Sequence, residues 1–440
     1  MIYNLEKLKS DTKKRRMSNH VNNPELRNNL ELLAKKAFTL YNKVLKLNGQ
    51  SPITADTFQI SIMIDGLAYD INRFEEFKTC VDLMKANTKI SSLLGKLVGT
   101  TAGMSTIENA ETCIMQFIQQ VYVDTANTSF DLSAFNEHYE AFEELFYSDT
   151  MRLADTVRLH NFESEVDEIV LEEGLVIKKL PQVQDVRTEI QERQYRPYIQ
   201  FSKSEFVIER KYTKQKMVGG FTPEPSPEQT GRELNESVDL FDTVIKALRV
   251  LKSSGVYREH SITTETVTFR SYAGTSTRVS FFENAVLGDK CKLITQEANE
   301  LKALYAKMKQ ASNQTFKIAS SRLGFGMERR FDVDKLLDYM IGLESLYLPD
   351  GNDELTFRLS LRIAFVVNHD MTERKNLFKF LKKMYGVRSK IAHGVKYGKK
   401  HELTKEDILK TELILRQSLK IYLDNPGAFT SDVLDNIYFE

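Results

Sequence analysis

The stretch Glu168-Ile169-Val170-Leu171-Glu172-Glu173-Gly174-Leu175-Val176-Ile177 marks the place where the chain changes its periodicity. Two short β-branched runs flank a glycine, the pattern of a hairpin rather than of a helix. Upstream, the apolar residues keep helical spacing. From Pro24 onward Leu26, Leu30, Leu33, Ala37, Leu40, Val44 and Leu47 recur at helical steps until Asn48-Gly49 stops them. Ser105-Thr106-Ile107-Glu108 has the form of a capping box opening a helix through Tyr122. Phe135, Tyr139, Phe142 and Phe146 share a further helical stripe, which reads as core rather than as a base-stacking platform. Downstream, Glu205-Phe206-Val207-Ile208-Glu209 is a second extended stretch. Thr222-Pro223-Glu224-Pro225-Ser226-Pro227-Glu228 then packs three of the nine prolines into five residues, which predicts a loop and a domain boundary at 222–228. A helix near Leu240–Leu251 and a strand-like Thr264–Arg270 follow, and from Asp289 the spacing is helical to the end. The expectation is a mainly α protein with a small β-containing middle region, divided as 1–155, 156–285 and 286–440.

Composition narrows the function classes. The 440 residues are 41% apolar and 28% charged, a balance typical of folded chains, and the length suits about two or three domains. Lys+Arg and Asp+Glu both number 61, which argues against a polybasic coat for nucleic acid or lipid but permits a local patch. Cys80, Cys113 and Cys291 are far apart and form no CxxC pair. Neither a disulfide framework nor a zinc site is read from them, and a reducing cytoplasm fits. The first twenty residues hold no apolar core of a signal peptide, and no apolar run approaches the roughly 18 residues of a spanning helix. A soluble cytoplasmic protein with no membrane partner is expected.

Common catalytic motifs are missing: no Walker loop, no GxGxxG, no HExxH and no GxSxG. The seven histidines are scattered, and His369-Asp370 is a lone pair. Neither a metal nor a cofactor is expected.

The informative stretch is Lys382-Lys383-Met384-Tyr385-Gly386-Val387-Arg388-Ser389-Lys390-Ile391-Ala392-His393-Gly394. It offers a fixed cation, a hydroxyl and an imidazole within six residues. Between Asp370 and Lys400 there are ten Lys/Arg and two acidic residues, so a neutral protein gathers positive charge here. That suits a phosphate-bearing partner, while the bland reading is a solvated basic face. Arg15 and His20 repeat the Arg-to-His spacing, but in a polar segment without an apolar scaffold, and that match reads as accidental.

The run Arg388-Ser389-Lys390-Ile391-Ala392-His393-Gly394, preceded by Tyr385, resembles the RSxxxHG signature of HEPN domains in the Apea-like branch. The resemblance extends upstream through Ser321-Arg322-Leu323-Gly324, Arg329-Arg330, Asp334, Asp338, Gly342-Leu343-Glu344-Ser345-Leu346-Tyr347, Glu354-Leu355-Thr356-Phe357-Arg358 and Leu361-Arg362-Ile363-Ala364. It covers about residues 310 to 425, and more faintly the hairpin at Gly174 and the helix at Ala247-Leu248-Arg249. Leu323 stands where the branch often has an aromatic, and residues 1–155 are not explained.

The resemblance implies an all-α C-terminal bundle and a metal-independent endoribonuclease acting as a homodimer or higher oligomer. RNA carries its own nucleophile, the 2′-hydroxyl. On this reading Arg388 stabilises charge on the phosphate and His393 moves the proton. Five steps of a regular helix put these two residues roughly 140° apart. Either the helix begins near Arg388, or the arginine curls round, or another chain completes the site. Ser389, four residues before His393, shares its face and is a supporting candidate. Gly394 is a residue type favoured just after a helix end, which places His393 in the last turn. Asp338 and Glu344 either orient Arg388, or exclude a second anion, or form ordinary ion pairs. Arg358 and Arg362 either bind RNA phosphates or pair structurally, and Tyr385 either stacks on RNA or packs in the core. Lys382, Lys383 and Lys390 complete the candidate RNA face. The family also implies phage defence by abortive infection, with the N-terminal region as sensor or restraint answering to a phage-derived trigger. The alternatives are a non-catalytic RNA- or protein-binding module and the toxin of a toxin–antitoxin pair, silenced by an antitoxin partner.

Overall fold

A computed structural model describes residues 21–47, 67–100, 103–125, 130–180, 205–219, 227–259, 262–266, 269, 276–278, 288–311, 313–349, 355–393 and 403–438. The Arg15/His20 match, Asn48-Gly49, Pro223, Pro225 and Gly394 lie outside the described residues.

The N-terminal helices are α1 (Pro24–Leu47), α2 (Glu75–Ala86), the short α3 (Thr88–Ser91), α4 (Ala110–Thr125) and α5 (Leu132–Tyr147). The leucine stripe of α1 forms as its spacing predicts, with Leu26, Leu30, Leu33 and Ala37 buried. The aromatic stripe of α5 is also core: Phe135, Tyr139, Phe142 and Phe146 are buried, and Phe117 of α4 meets Phe142 edge-on at 5.2 Å. The capping box at Ser105 does not form. Gly103–Thr106 is instead strand β2, paired with β1 (Leu97–Thr100), and the Asn109 side chain accepts from Thr112 N at 2.8 Å at the start of α4. A strand ladder claims the backbone groups that the cap would have needed.

The hairpin stands where the sequence puts it, as β5 (Glu168–Glu172) and β6 (Leu175–Lys179). Gly174 has φ +78° in the turn, and a Cβ there would lie 2.5 Å from Lys211 O, so two separate demands select glycine. The hairpin joins a larger antiparallel sheet with β3 (Thr150–His160) and β7 (Phe206–Gln215), extended by β9 (Tyr257–Arg258), β10 (Ile262–Thr266) and β11 (Ser276–Arg278), whereas β4 (Phe162–Ser164) lies outside it and β8 (Met217–Val218) pairs with β1. Helix α6 runs Pro227–Leu251, well upstream of the expected start. Pro227 and Glu228, expected in a loop, are therefore its first two residues, and proline is accepted there because the first helical position lacks an N–H partner in any case. The tail is not wholly helical either. Cys291–Leu293 forms a strand parallel to Phe162–Ser164 before the bundle begins.

The C-terminal region is helical, as expected: α7 (Thr295–Gln310), α8 (Gln314–Glu328), α9 (Asp332–Tyr347), α10 (Leu355–Val367), α11 (Met371–Ala392), α12 (Lys405–Asp424), a 3₁₀ turn (Pro426–Phe429) and α13 (Ser431–Asn436). Two apolar cores hold these segments together. One apolar core runs from Val157 of the sheet through α6 to Leu434 of α13. The other belongs to the N-terminal helices but also takes in Met151 and Phe269, whose ring lies 4.9 Å from Phe142. Arg249 of α6 ties the loop after its own helix to α8, donating from Nε to Val256 O at 3.1 Å and from Nη1 to Glu328 at 2.7 Å.

Candidate active site

Helix α11 carries the RSxxxHG-like run. Asp370 caps its start, accepting from Thr372 N at 2.8 Å and Glu373 N at 2.9 Å. Leu377, Leu381, Met384 and Val387 recur at helical steps and are buried, so one face is fixed against the bundle. The helix continues without interruption to Ala392, and His393 is its C-cap, with its backbone N–H donating to Ser389 O at 3.1 Å. Of the three ways to reconcile Arg388 with His393, a helix starting near Arg388 is thereby removed.

Arg388 turns inward. Its Nη2 lies 3.0 Å from Glu344 Oε2 on α9, and its guanidinium stands 5.7 Å from the Tyr385 ring. Burial pushes the Glu344 carboxyl above its ordinary range, and Arg388 offsets that only in part. Burial likewise raises the Tyr385 hydroxyl, with the Glu344 charge adding to it and Arg388 opposing. Glu344 Oε1 and Arg388 Nε are both buried without a hydrogen-bond partner, so neither group is fully satisfied by this single contact. His393, in contrast, is exposed. One chain holds the two signature residues on one helix end, about 7.5 Å apart along the axis and on different faces.

The remaining candidates separate sharply. Asp338 does not meet Arg388; it is buried and holds Arg322 Nη1 at 2.7 Å and Arg329 Nε at 2.9 Å, tying α8 to α9. Arg362 is fully buried at 0% exposure, with Nη1 on Tyr347 O at 2.6 Å and Nη2 on Asp435 at 2.5 Å. That corrects its assignment to an RNA-facing surface: position 362 falls on the buried side of α10, with Leu359, Ile363 and Ala364. Arg358, half-buried, leans on the same Asp435 at 3.6 Å. Lys383 pairs with Asp407 at 2.9 Å. Burial alone would raise the Asp407 carboxyl, but the hydrogen bonds from Lys383 and Thr404 win and hold it below the usual range. Ser389 and Lys390 are half-buried, and Lys382 is exposed with its ammonium 5.6 Å from the Phe378 ring.

The outer face of α11 holds more than the motif reading found. At 100° per residue, Lys375, Lys379, Lys382, Gly386, Lys390 and His393 fall within an arc of roughly 80°. Lys375 and Lys379 are exposed, and no acidic residue occurs between Arg374 and His393. The spacing of these lysines was the available signal, beyond the bare count of charges. A Cβ added at Gly386 would meet nothing within 4 Å, so the face is open in its middle. Among the described residues, no group of three or more His, Cys, Asp or Glu is arranged to hold a metal, and no helix is long and apolar enough to cross a membrane.

Comparison of the chain with protein-family models, with curated proteins and with solved structures finds no match. The likeness to HEPN domains rests on the residues themselves.

Proposed function

We propose that the chain is a metal-independent endoribonuclease of HEPN type, serving phage defence by abortive infection, with the N-terminal helical body as its sensor or restraint. One juxtaposition supports this reading. At the end of α11 a guanidinium pinned by a half-buried carboxylate lies about one and a half turns from an exposed imidazole. The arginine stays charged and presents a planar fork to phosphate oxygens. Imidazole is the side chain that exchanges protons near neutrality.

In the reaction a base takes the 2′-hydroxyl proton and the 2′-oxygen attacks the adjacent phosphorus. The bond to the 5′-oxygen breaks as an acid protonates that oxygen. The products are a 2′,3′-cyclic phosphate and a 5′-hydroxyl. Arg388 stabilises the charge that builds on the non-bridging oxygens. Because α11 sets Arg388 and His393 on different faces, a two-fold homodimer through the bundle supplies the second acid–base group and the missing arginine.

The test is cleavage of RNA by the purified chain in EDTA, with analysis of the ends. Arg388→Ala and His393→Ala are each expected to lower the rate by about 10²- to 10⁴-fold. A strict need for Mg²⁺, or unchanged rates in both variants, would sink the proposal. Mixing the two inactive variants tests the dimer: a composite site regains activity in the heterodimer, whereas no recovery at any ratio counts against it. The lysine face favours one second reading, an RNA-binding module without turnover. Salt-sensitive binding with no cyclic-phosphate product would establish that instead.

A further inference from the structure

We infer that the outer face of α11 is a track for single-stranded RNA, with phosphates on Lys375, Lys379, Lys382 and Lys390 and bases on an aromatic flank of Phe357, Phe378 and Tyr385. The track leads to His393, and in that respect it rests on the ribonuclease reading.

Charge comes first. The four lysines have no carboxylate partner among the described residues, unlike Lys383 beside them, which Asp407 neutralises at 2.9 Å. From Lys375 to His393 the helix rises about 27 Å. That length falls within the roughly 4- to 16-nucleotide footprint of single-strand grooves. A row of ammonium groups on a straight helix matches the regular charge of a phosphodiester backbone and carries no sequence preference.

The aromatic flank decides the strandedness. Phe378 and Tyr385, seven residues apart, lie on one side of the lysine arc, about 80° to 100° from Gly386. Phe357 of α10 packs edge-on against Phe378 at 5.6 Å and is 47% exposed, so its ring is open to a base. Half-buried Phe378 lies under the Lys382 ammonium, so ring and cation address one site. Bases stack on such rings only when they have left a duplex, because paired bases hide their faces against each other. A flexible single strand can also bring the 2′-oxygen in line with the leaving oxygen. Gly386 lacks a side chain where the strand crosses the helix between Lys382 and Lys390.

The test uses the full chain carrying His393→Ala, so that RNA survives, and a labelled oligouridylate of about twelve nucleotides, alone or annealed to its complement. Affinity for the single strand is expected to fall with salt at a log–log slope near −3, for about four neutralised phosphates. Adding Lys375→Gln and Lys379→Gln should reduce that slope by about half. Phe357→Ala should weaken single-strand binding about tenfold and leave the slope unchanged. Binding as expected without cleavage by the unaltered protein supports the track and removes the enzyme reading. A salt slope that the lysine pair does not change, tighter binding of the duplex, or cleavage by the unaltered chain that the lysine pair leaves at full rate overturns the track. So does loss of a dimer, with RNA affinity unchanged, in the lysine variant, which assigns the face to a second copy.

Discussion

Replacing Arg362 by leucine separates scaffold from site, because this arginine stands in the run resembling the family yet points into the core. Its Nη1 donates to Tyr347 O at 2.6 Å, and Tyr347 is itself fully buried with its hydroxyl on Ser418 at 2.9 Å. Leucine keeps part of the aliphatic stem but leaves the Tyr347 carbonyl without its charged donor, a loss of about 1.5–3 kcal/mol. The Asp435 contact involves a carboxylate that is half exposed, so solvent screening limits it to about 0–1 kcal/mol. With the lost packing of the outer stem the sum is about 3 kcal/mol, or roughly a hundredfold in the folded-to-unfolded ratio. For a slope of about 3 kcal/mol per molar urea, the midpoint of the bundle's unfolding should drop by about 1 M. Circular dichroism reads that midpoint, and RNA affinity measured well below it should not change. An unchanged midpoint with weakened RNA binding would refute the burial argument and return Arg362 to the RNA surface.

Three further outcomes follow from the same structure. Gly386→Ala should stabilise the chain by about 0.5–1 kcal/mol, because the new methyl meets nothing in the middle of α11, whereas Gly326→Ala should destabilise it, because its Cβ runs into the Tyr339 ring; urea midpoints moving the same way would contradict this. Burial pushes the Cys80 and Cys113 thiols up to about 12, so at pH 8 neither should react with a disulfide reagent until the fold is opened; rapid labelling of the native chain would show the N-terminal core to be looser than described. Since burial raises the Glu344 carboxyl, its contribution to stability is fully present below its unfolded value and lost as pH rises through the higher folded value. Glu344→Gln should therefore gain on the unaltered protein as pH rises across that window, and a difference constant from pH 4 to 8 would count against it.

Sequence carried the local features and lost the distant ones. The α1 stripe and the hairpin at Gly174 are decided within a few turns of chain, by side-chain period and by a positive φ, and both stand as read. The cap at Ser105 failed because β1 competes for the same backbone, and the strand at Cys291–Leu293 was missed because its partner Phe162–Ser164 lies far upstream. Arg362 could not be told from Arg358 by spacing alone. Its burial depends on Tyr347 and Asp435, residues of two other elements that no local pattern joins to it. Glu344 was legible only as one of two carboxylates, and the fold divides them, giving Arg388 to one and two other arginines to Asp338.

The charge pattern of α11 is hard to explain by stability. Lys375 and Lys379, Lys379 and Lys382, and Lys379 and Lys383 are like-charge pairs at neighbouring helical positions, each costing about 0.2–0.5 kcal/mol. A helix selected only to hold the bundle together would interleave acids, as α12 does with Glu406, Lys410, Glu412, Arg416, Lys420 and Asp424. On α11 the acids stop at Glu373, in the first turn, where they complement the helix dipole. Asp407 reaches across to Lys383 but leaves the outer four lysines alone. The inner face of the same helix is treated in the opposite way, since Arg388 has a carboxylate close by and a ring beneath it. One cation is thus held in place, while the other four have no carboxylate partner among the described residues. On the proposed reading, a polyanion that sheds counterions as it binds would turn this repulsion into affinity.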